Sequence, residues 1–328
     1  MRFLKIIIGL VAVLAIIYLV GPSPAKPHYN NTIIKVPSEP IALEKFIADG
    51  EALHKVKPNN EARIVWANDS LKQKTKYAIV YLHGFSASQE EGNPVHRAVA
   101  KEFGCNLYLS RLSQHGIDTT DELMNMTAEN LWESAKEAYA IGKAIGDTVI
   151  LMGTSTGGTL ALMLAANFQE VGGLILYSPN IAINDPNAWL LNNPWGLQIA
   201  RLVKKSNYMI INKPIPQYNQ YWNHHYRLEA TVQLEELLET AMTKTTFEKI
   251  KQPTLVLYYY KNEKEQDPVV KVSAMKEMFA NIQTPSEKKK MVPIPNSGNH
   301  VMASPIQSKD IESVKKESAL FLKNTFGL

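Results

Sequence analysis

The run Gly153-Thr154-Ser155-Thr156-Gly157 lies between an apolar stretch, Thr148 to Met152, and a stretch of helical composition, Gly158 to Asn167. That order reads as strand, sharp turn and helix, with a serine at the apex. Such a turn lifts the hydroxyl above the end of a sheet, and the flanking glycines let helix and strand approach closely. What it means for the whole chain depends on whether the same strand–helix rhythm continues on either side.

It does. Tyr77 to Leu82, Cys105 to Leu109, Thr148 to Met152, Leu174 to Tyr177, Pro253 to Tyr260 and Lys290 to Ile294 read as strands. Pro94 to Phe103, Thr127 to Ile145, residues 155–167, Val270 to Ala280 and Lys309 to Thr325 read as helices. The first of these has Asn93 as its cap and Pro94 as its first residue. Ahead of them, Ile41 to Leu53 has helical spacing and Glu61 to Ala67 is strand-like. The fold class is therefore α/β, with a mostly parallel central sheet flanked by helices on both faces. Reactive groups of such a sheet gather at the carboxyl ends of its strands. The alternation breaks between Asn180 and Lys251, where three of the five tryptophans fall (Trp189, Trp195, Trp222). This interval, about 180–251, is expected to be an inserted helical cap within a domain covering 41–328.

The N-terminus has a different character. Arg2 and Lys5 precede the uncharged run Ile6 to Val20, and the proline-rich Gly21 to Pro27 stops any helix. Residues 1–21 fit either a membrane anchor or a signal peptide cleaved near Ala25, with 22–40 as a linker. Basic residues outnumber Lys26 on the N-terminal side, so the catalytic part is expected outside the cytoplasm, membrane-anchored or secreted. The net charge of +4 is spread thinly, with no basic stripe interleaved with aromatics, so nucleic acid is not an expected partner. Cys105, the sole cysteine, can form no internal disulfide and reads as a buried small hydrophobe.

A serine hydroxyl attacks only when a base removes its proton and an acid orients that base. Of eight histidines, only His300 follows the last predicted strand in a turn, Pro295 to Met302. The loop after Tyr260 offers Asp267, just ahead of an apolar helix start, with Glu263 and Glu265 as rivals. His83-Gly84-Phe85-Ser86 ends the first central strand, and the backbone N–H groups of Phe85 and Thr156 are candidate donors to an oxyanion. His83 and His115 read as residues that tie their loops together.

These motifs together resemble the α/β-hydrolase superfamily: the HGF loop, Gln114-His115-Gly116, GTSTG, Asp267-Pro268-Val269-Val270, and Gly298-Asn299-His300. More narrowly they resemble the bacterial carboxylesterase and monoacylglycerol lipase group, often described as having a serine aminopeptidase-like domain. The resemblance runs from about Tyr77 to Phe321. It implies a triad of Ser155, Asp267 and His300, oxyanion amides at Phe85 and Thr156, a cap that binds an acyl chain, and no metal or organic cofactor. The chain departs from the pattern at Gln114, where relatives carry glycine, and at Lys261-Asn262, where they carry a glycine soon after the strand. The expected activity is hydrolysis of a small acyl ester. A prolyl-type aminopeptidase would instead need an acidic anchor such as Glu235, Glu236 and Glu239, and a tethered binding protein would need no working serine.

Overall fold

The computed structural model of the chain describes residues 2–328; Met1, the first residue of the expected 1–21 segment, lies outside them. Nine strands run in chain order: β1 Arg63–Val65, β2 Thr75–Leu82, β3 Asn106–Leu109, β4 Gly146–Thr154, β5 Gly173–Tyr177, β6 Tyr208–Ile210, β7 His225–Arg227, β8 Thr254–Tyr258 and β9 Lys289–Pro293. Seven form one sheet in the order β1-β3-β2-β4-β5-β8-β9. Only the β1–β3 pair is antiparallel.

The inner strands β3, β5 and β8, and the later parts of β2 and β4, are buried on both faces, as their unbroken apolar runs demand. Side chains of a strand alternate between faces, and the core divides accordingly. Ala78, Val80, Leu82, Val149 and Leu151 pack on one side, against the helices Ala128–Ile145 and Thr156–Asn167. Ile79, Tyr81, Ile150 and Met152 pack on the other, with Val95 and Val99 of the helix Val95–Glu102 and Val314 and Phe321 of the helix Ile311–Phe326. The helix Thr156–Asn167 is buried along its whole length up to Ala166, which explains why it is apolar all round rather than amphipathic.

Register brings the strand ends together. Leu82 pairs with Gly153, Thr154 with Tyr177, Tyr177 with Leu257, and Tyr258 with Pro293. The loops that carry His83 to Ser86, Ser155, Asp267 and His300 therefore leave the sheet along one edge.

Two local expectations need correction. Asn93 does not cap the helix Val95–Glu102; Pro94 occupies the cap, and the Asn93 side chain donates back to Glu90 Oε1 at 2.8 Å. The interval 180–251 is not purely helical. The helices Gly196–Lys204, Pro216–Tyr221 and Leu228–Ala241 are joined by an antiparallel ribbon of β6 and β7, whose three-residue strands are too short to show a period-2 pattern.

The N-terminal run forms a helix, Arg2–Leu19, whose apolar side chains from Phe3 onward are exposed. Among the described residues no helix is long and apolar enough to cross a membrane. The membrane-anchor reading of residues 1–21, one of the two that the sequence allowed, is thus not supported among the described residues. Residues 22–37 run extended over the body. Asn30 O accepts from Trp132 Nε1 at 2.8 Å, Thr32 O from Lys136 Nζ at 2.9 Å, and Lys26 pairs with Glu236 at 3.1 Å.

The tightest point of the fold is Gly157. A β-carbon there would stand 1.9 Å from Leu82 O, a backbone atom that cannot swing away. Gly157→Ala should therefore destabilise the protein by about 3 kcal/mol or more, measured as a lowered midpoint in urea unfolding.

Candidate active site

Ser155 stands at the junction of β4 and the helix Thr156–Asn167 with φ +52° and ψ −118°, a strained conformation for a residue with a side chain. Surrounding bonds hold it there. Its N–H donates to Tyr177 O at 3.0 Å, and its carbonyl accepts from Thr159 N at 3.1 Å and Asn180 N at 3.0 Å. A β-carbon at Gly153 would fall 2.6 Å from the Gly157 backbone, so both glycines of the pentapeptide are required.

His300 and Asp267 meet through His300 Nδ1 and Asp267 Oδ2 at 2.7 Å. The other carboxylate oxygen accepts the N–H groups of Val269 at 2.9 Å and Val270 at 3.1 Å. Burial alone would favour a neutral Asp267, but the His300 charge, the hydrogen bond from it and the two N–H groups outweigh burial and hold the carboxyl below its usual range. For His300, burial disfavours the charged form, yet Asp267 and then Glu91 outweigh it and raise its basicity. The rivals serve elsewhere: Glu263 accepts from Tyr260 OH, and Glu265 pairs with Lys261. The turn carrying His300 is fixed locally. Buried Ser297 donates to Ile294 O, Gly298 sits at φ +64°, and Asn299 Oδ1 accepts from Val301 N.

The backbone N–H groups of Phe85 and Thr156 have no acceptor among the described residues. Thr156 opens a helix, where unpaired amides and the dipole favour an anion. Phe85 follows Gly84, whose missing side chain matters: a β-carbon would lie 2.9 Å from both Glu91 oxygens and 3.1 Å from Ser155 Cβ. His83 holds this loop, as expected. Its Nε2 accepts from Leu112 N at 2.9 Å, which leaves Nδ1 to donate to Gly84 O at 2.9 Å. Burial, then His115, keeps it neutral. His115 is likewise buried and bound to its own loop through Ser113 O.

Sequence reasoning missed Glu91. Within Ser88-Gln89-Glu90-Glu91-Gly92 it looks like a residue facing water, yet it is buried on the short helical turn Gln89–Gly92. It lines the same cavity as Ser155 and His300 and accepts from Gly84 N at 2.6 Å. The available signal was its distance of seven residues from Gly84, one loop and one turn from the oxyanion strand end.

The cavity measures about 760 Å³ and is bounded by Phe85, Ser86, Ser155 and His300 at its base. Its upper wall comes from Ile183, Leu190, Ile199, Val203 and Leu234. Neither Glu235 nor Glu236 faces it: Glu236 is buried and engaged by Lys26 and Asn192, and Glu239 is exposed. Among the described residues no group of three or more His, Cys, Asp or Glu side chains is arranged to hold a metal ion.

The model of the alpha/beta hydrolase family matches residues 79–309, well over half of the chain. The chain belongs to the α/β-hydrolase family. The hydrolase is 33% identical over 98 residues to the thermostable monoacylglycerol lipase of Bacillus sp. (strain H-257), a match over 30% of this chain and 38% of that enzyme. The hydrolase fold is also that of a structure from a study of LipS and LipT, two metagenome-derived lipolytic enzymes. That likeness has a TM-score of 0.64 and 17% identity, over 82% of this chain and 99% of the other. The Paleococcus ferrophilus monoacylglycerol lipase shares the fold at a TM-score of 0.58 and 13% identity, over 80% and 99% of the two chains.

Burial raises the Glu91 carboxyl of this hydrolase from 4.5 to about 7, against the opposing Gly84 hydrogen bond and His300 charge. Between those values the folded state holds a proton that the unfolded chain has lost, so this group makes stability fall as pH rises. Glu91→Gln, neutral throughout, should gain about 3 kcal/mol relative to wild type between pH 4.5 and 8. Urea unfolding at the two pH values checks this.

Proposed function

We propose that this hydrolase cleaves carboxylic esters through an acyl-enzyme on Ser155. The observation that best supports the reading is the buried His300–Asp267 bond at 2.7 Å beside a serine held at φ +52° in the same cavity. Ser155 Oγ attacks the carbonyl carbon as His300 Nε2 takes its proton, and Asp267 stabilises the imidazolium. The amides of Phe85 and Thr156 hold the tetrahedral oxyanion. The carbon–oxygen bond breaks, and His300 returns the proton to the departing alkoxide. Water then repeats the steps and releases the acid. The apolar wall of Ile183, Leu190, Ile199, Val203 and Leu234 suits an aliphatic acyl chain, as in a monoacylglycerol. The aminopeptidase reading loses the anchor proposed for it, because Glu236 is engaged by Lys26 and stands outside the cavity, though Asp185 does line it.

Ser155→Ala should lower p-nitrophenyl butyrate hydrolysis by about ten-thousandfold and abolish fluorophosphonate labelling. The wild-type kcat/KM should fall on the acid side with a midpoint above the usual histidine value of about 6.5, because only neutral imidazole acts as a base. Labelling that persists in the alanine variant would refute the assignment.

We further propose that the exposed apolar helix Arg2–Leu19 associates the enzyme with a lipid surface outside the cytoplasm, unless it is removed near Ala25. Retention of intact chain in the membrane pellet, released by deleting residues 1–21, is the expected result. Intact chain found wholly in the soluble fraction would contradict it.

A further inference from the structure

The wall of the cavity is uneven in charge. Most of it is apolar, but Lys213, on the segment between β6 and the helix Pro216–Tyr221, also lines it, as do the charged side chains Glu91, Asp185 and Lys204. Lys213 is half-buried, and burial holds its ammonium below the usual lysine range. Its Nζ donates to Gln307 Oε1 at 2.5 Å and lies 4.5 Å from the centre of the Tyr218 ring. Among the described residues no carboxylate pairs with it. Taking a cation out of water without a counter-charge is unfavourable, and a neutral side chain would bridge to Gln307 equally well. The charge is thus poised for an anion that arrives with the ligand.

Its position selects one half of an ester. His300 returns its proton to the leaving oxygen, so the alcohol half must lie on the His300 side. Lys213 is on that side. Gln307 belongs to the loop that follows His300, and Tyr218 packs with Val301, its immediate neighbour. The Lys213 charge also reaches His300 and counts against its protonation. The apolar side chains Leu190, Ile199, Val203 and Leu234 remain for the acyl half.

Resting on the serine-ester reading of this site, we propose that the alcohol half of the substrate carries an anionic oxygen group, a phosphate or a carboxylate, bound by Lys213. The test uses the full chain and three esters with one acyl chain: monodecanoylglycerol, its 3-phosphate, and the decanoyl ester of glyceric acid. At least one anionic ester should exceed the neutral one in kcat/KM by about ten- to a hundredfold, as a charged hydrogen bond allows. Which anion leads identifies the group. The ratio should collapse towards unity in Lys213→Gln and persist in Lys213→Arg. Equal turnover of all three esters by the wild type would overturn the proposal, a result that does not depend on whether any variant folds. So would an undiminished ratio in Lys213→Gln. Hydrolysis of monodecanoylglycerol without any anionic preference overturns this proposal alone. No hydrolysis of any ester together with no fluorophosphonate labelling overturns the ester reading as well.

Discussion

The structure depends on one close contact, where the helix Thr156–Asn167 crosses the ends of β2 and β4 at backbone distance. Gly157 lies against Leu82 O with no room for a side chain, and Gly153 lies against Gly157. The chain can leave β4 and enter that helix only through a residue at positive φ, and Ser155 is that residue. The strain is local, while the bonds to Tyr177 O, Thr159 N and Asn180 N that maintain it come from the adjoining strand, helix and loop. The same geometry leaves the Thr156 amide without an acceptor among the described residues and sets the Gly84–Phe85 loop beside it, because Leu82 and Gly153 are paired. The candidate nucleophile and both candidate oxyanion donors thus follow from one packing constraint.

Electrostatics then separates two buried carboxyls beside one histidine. Asp267 receives two backbone N–H groups and the imidazole, and it stays ionised despite burial. Glu91 receives the Gly84 N–H, with the His300 charge and the Tyr81 hydroxyl helping less, and burial raises it to about 7. The difference lies in the number of donors each environment supplies, not in the acids themselves. Asp267 can therefore serve as the permanent counter-charge of His300, whereas Glu91 holds the Gly84–Phe85 loop and carries a charge that varies near neutrality.

The interval between β5 and β8 joins this base to its roof. Asn223 N donates to Ser86 O at 2.6 Å, tying the cap segment directly to the oxyanion loop. The N-terminal strap adds a second fastening through Lys26 and Glu236 on the helix Leu228–Ala241. A carboxylate that the sequence offered as a substrate anchor or an exposed helix face is instead paired with a residue some two hundred positions away. Such pairings leave no local trace, which is why the cap was the least legible part of the chain.

The sequence by itself determined the α/β class, the strand order of the motifs and the candidacy of Ser155 and His300, because these depend on local patterns. Apolar runs, turn glycines and loop residues after strand ends act within a few positions of one another. Even so, the sequence alone left Glu263 and Glu265 open beside Asp267, and only the 2.7 Å bond to His300 separated them. Tertiary structure also decided what Glu91, Glu236 and Lys213 do, and that 180–251 contains a ribbon as well as helices. A charged residue in a polar run looks the same whether water or the core surrounds it. Only the packing of distant segments sets its solvation, and solvation sets its chemistry.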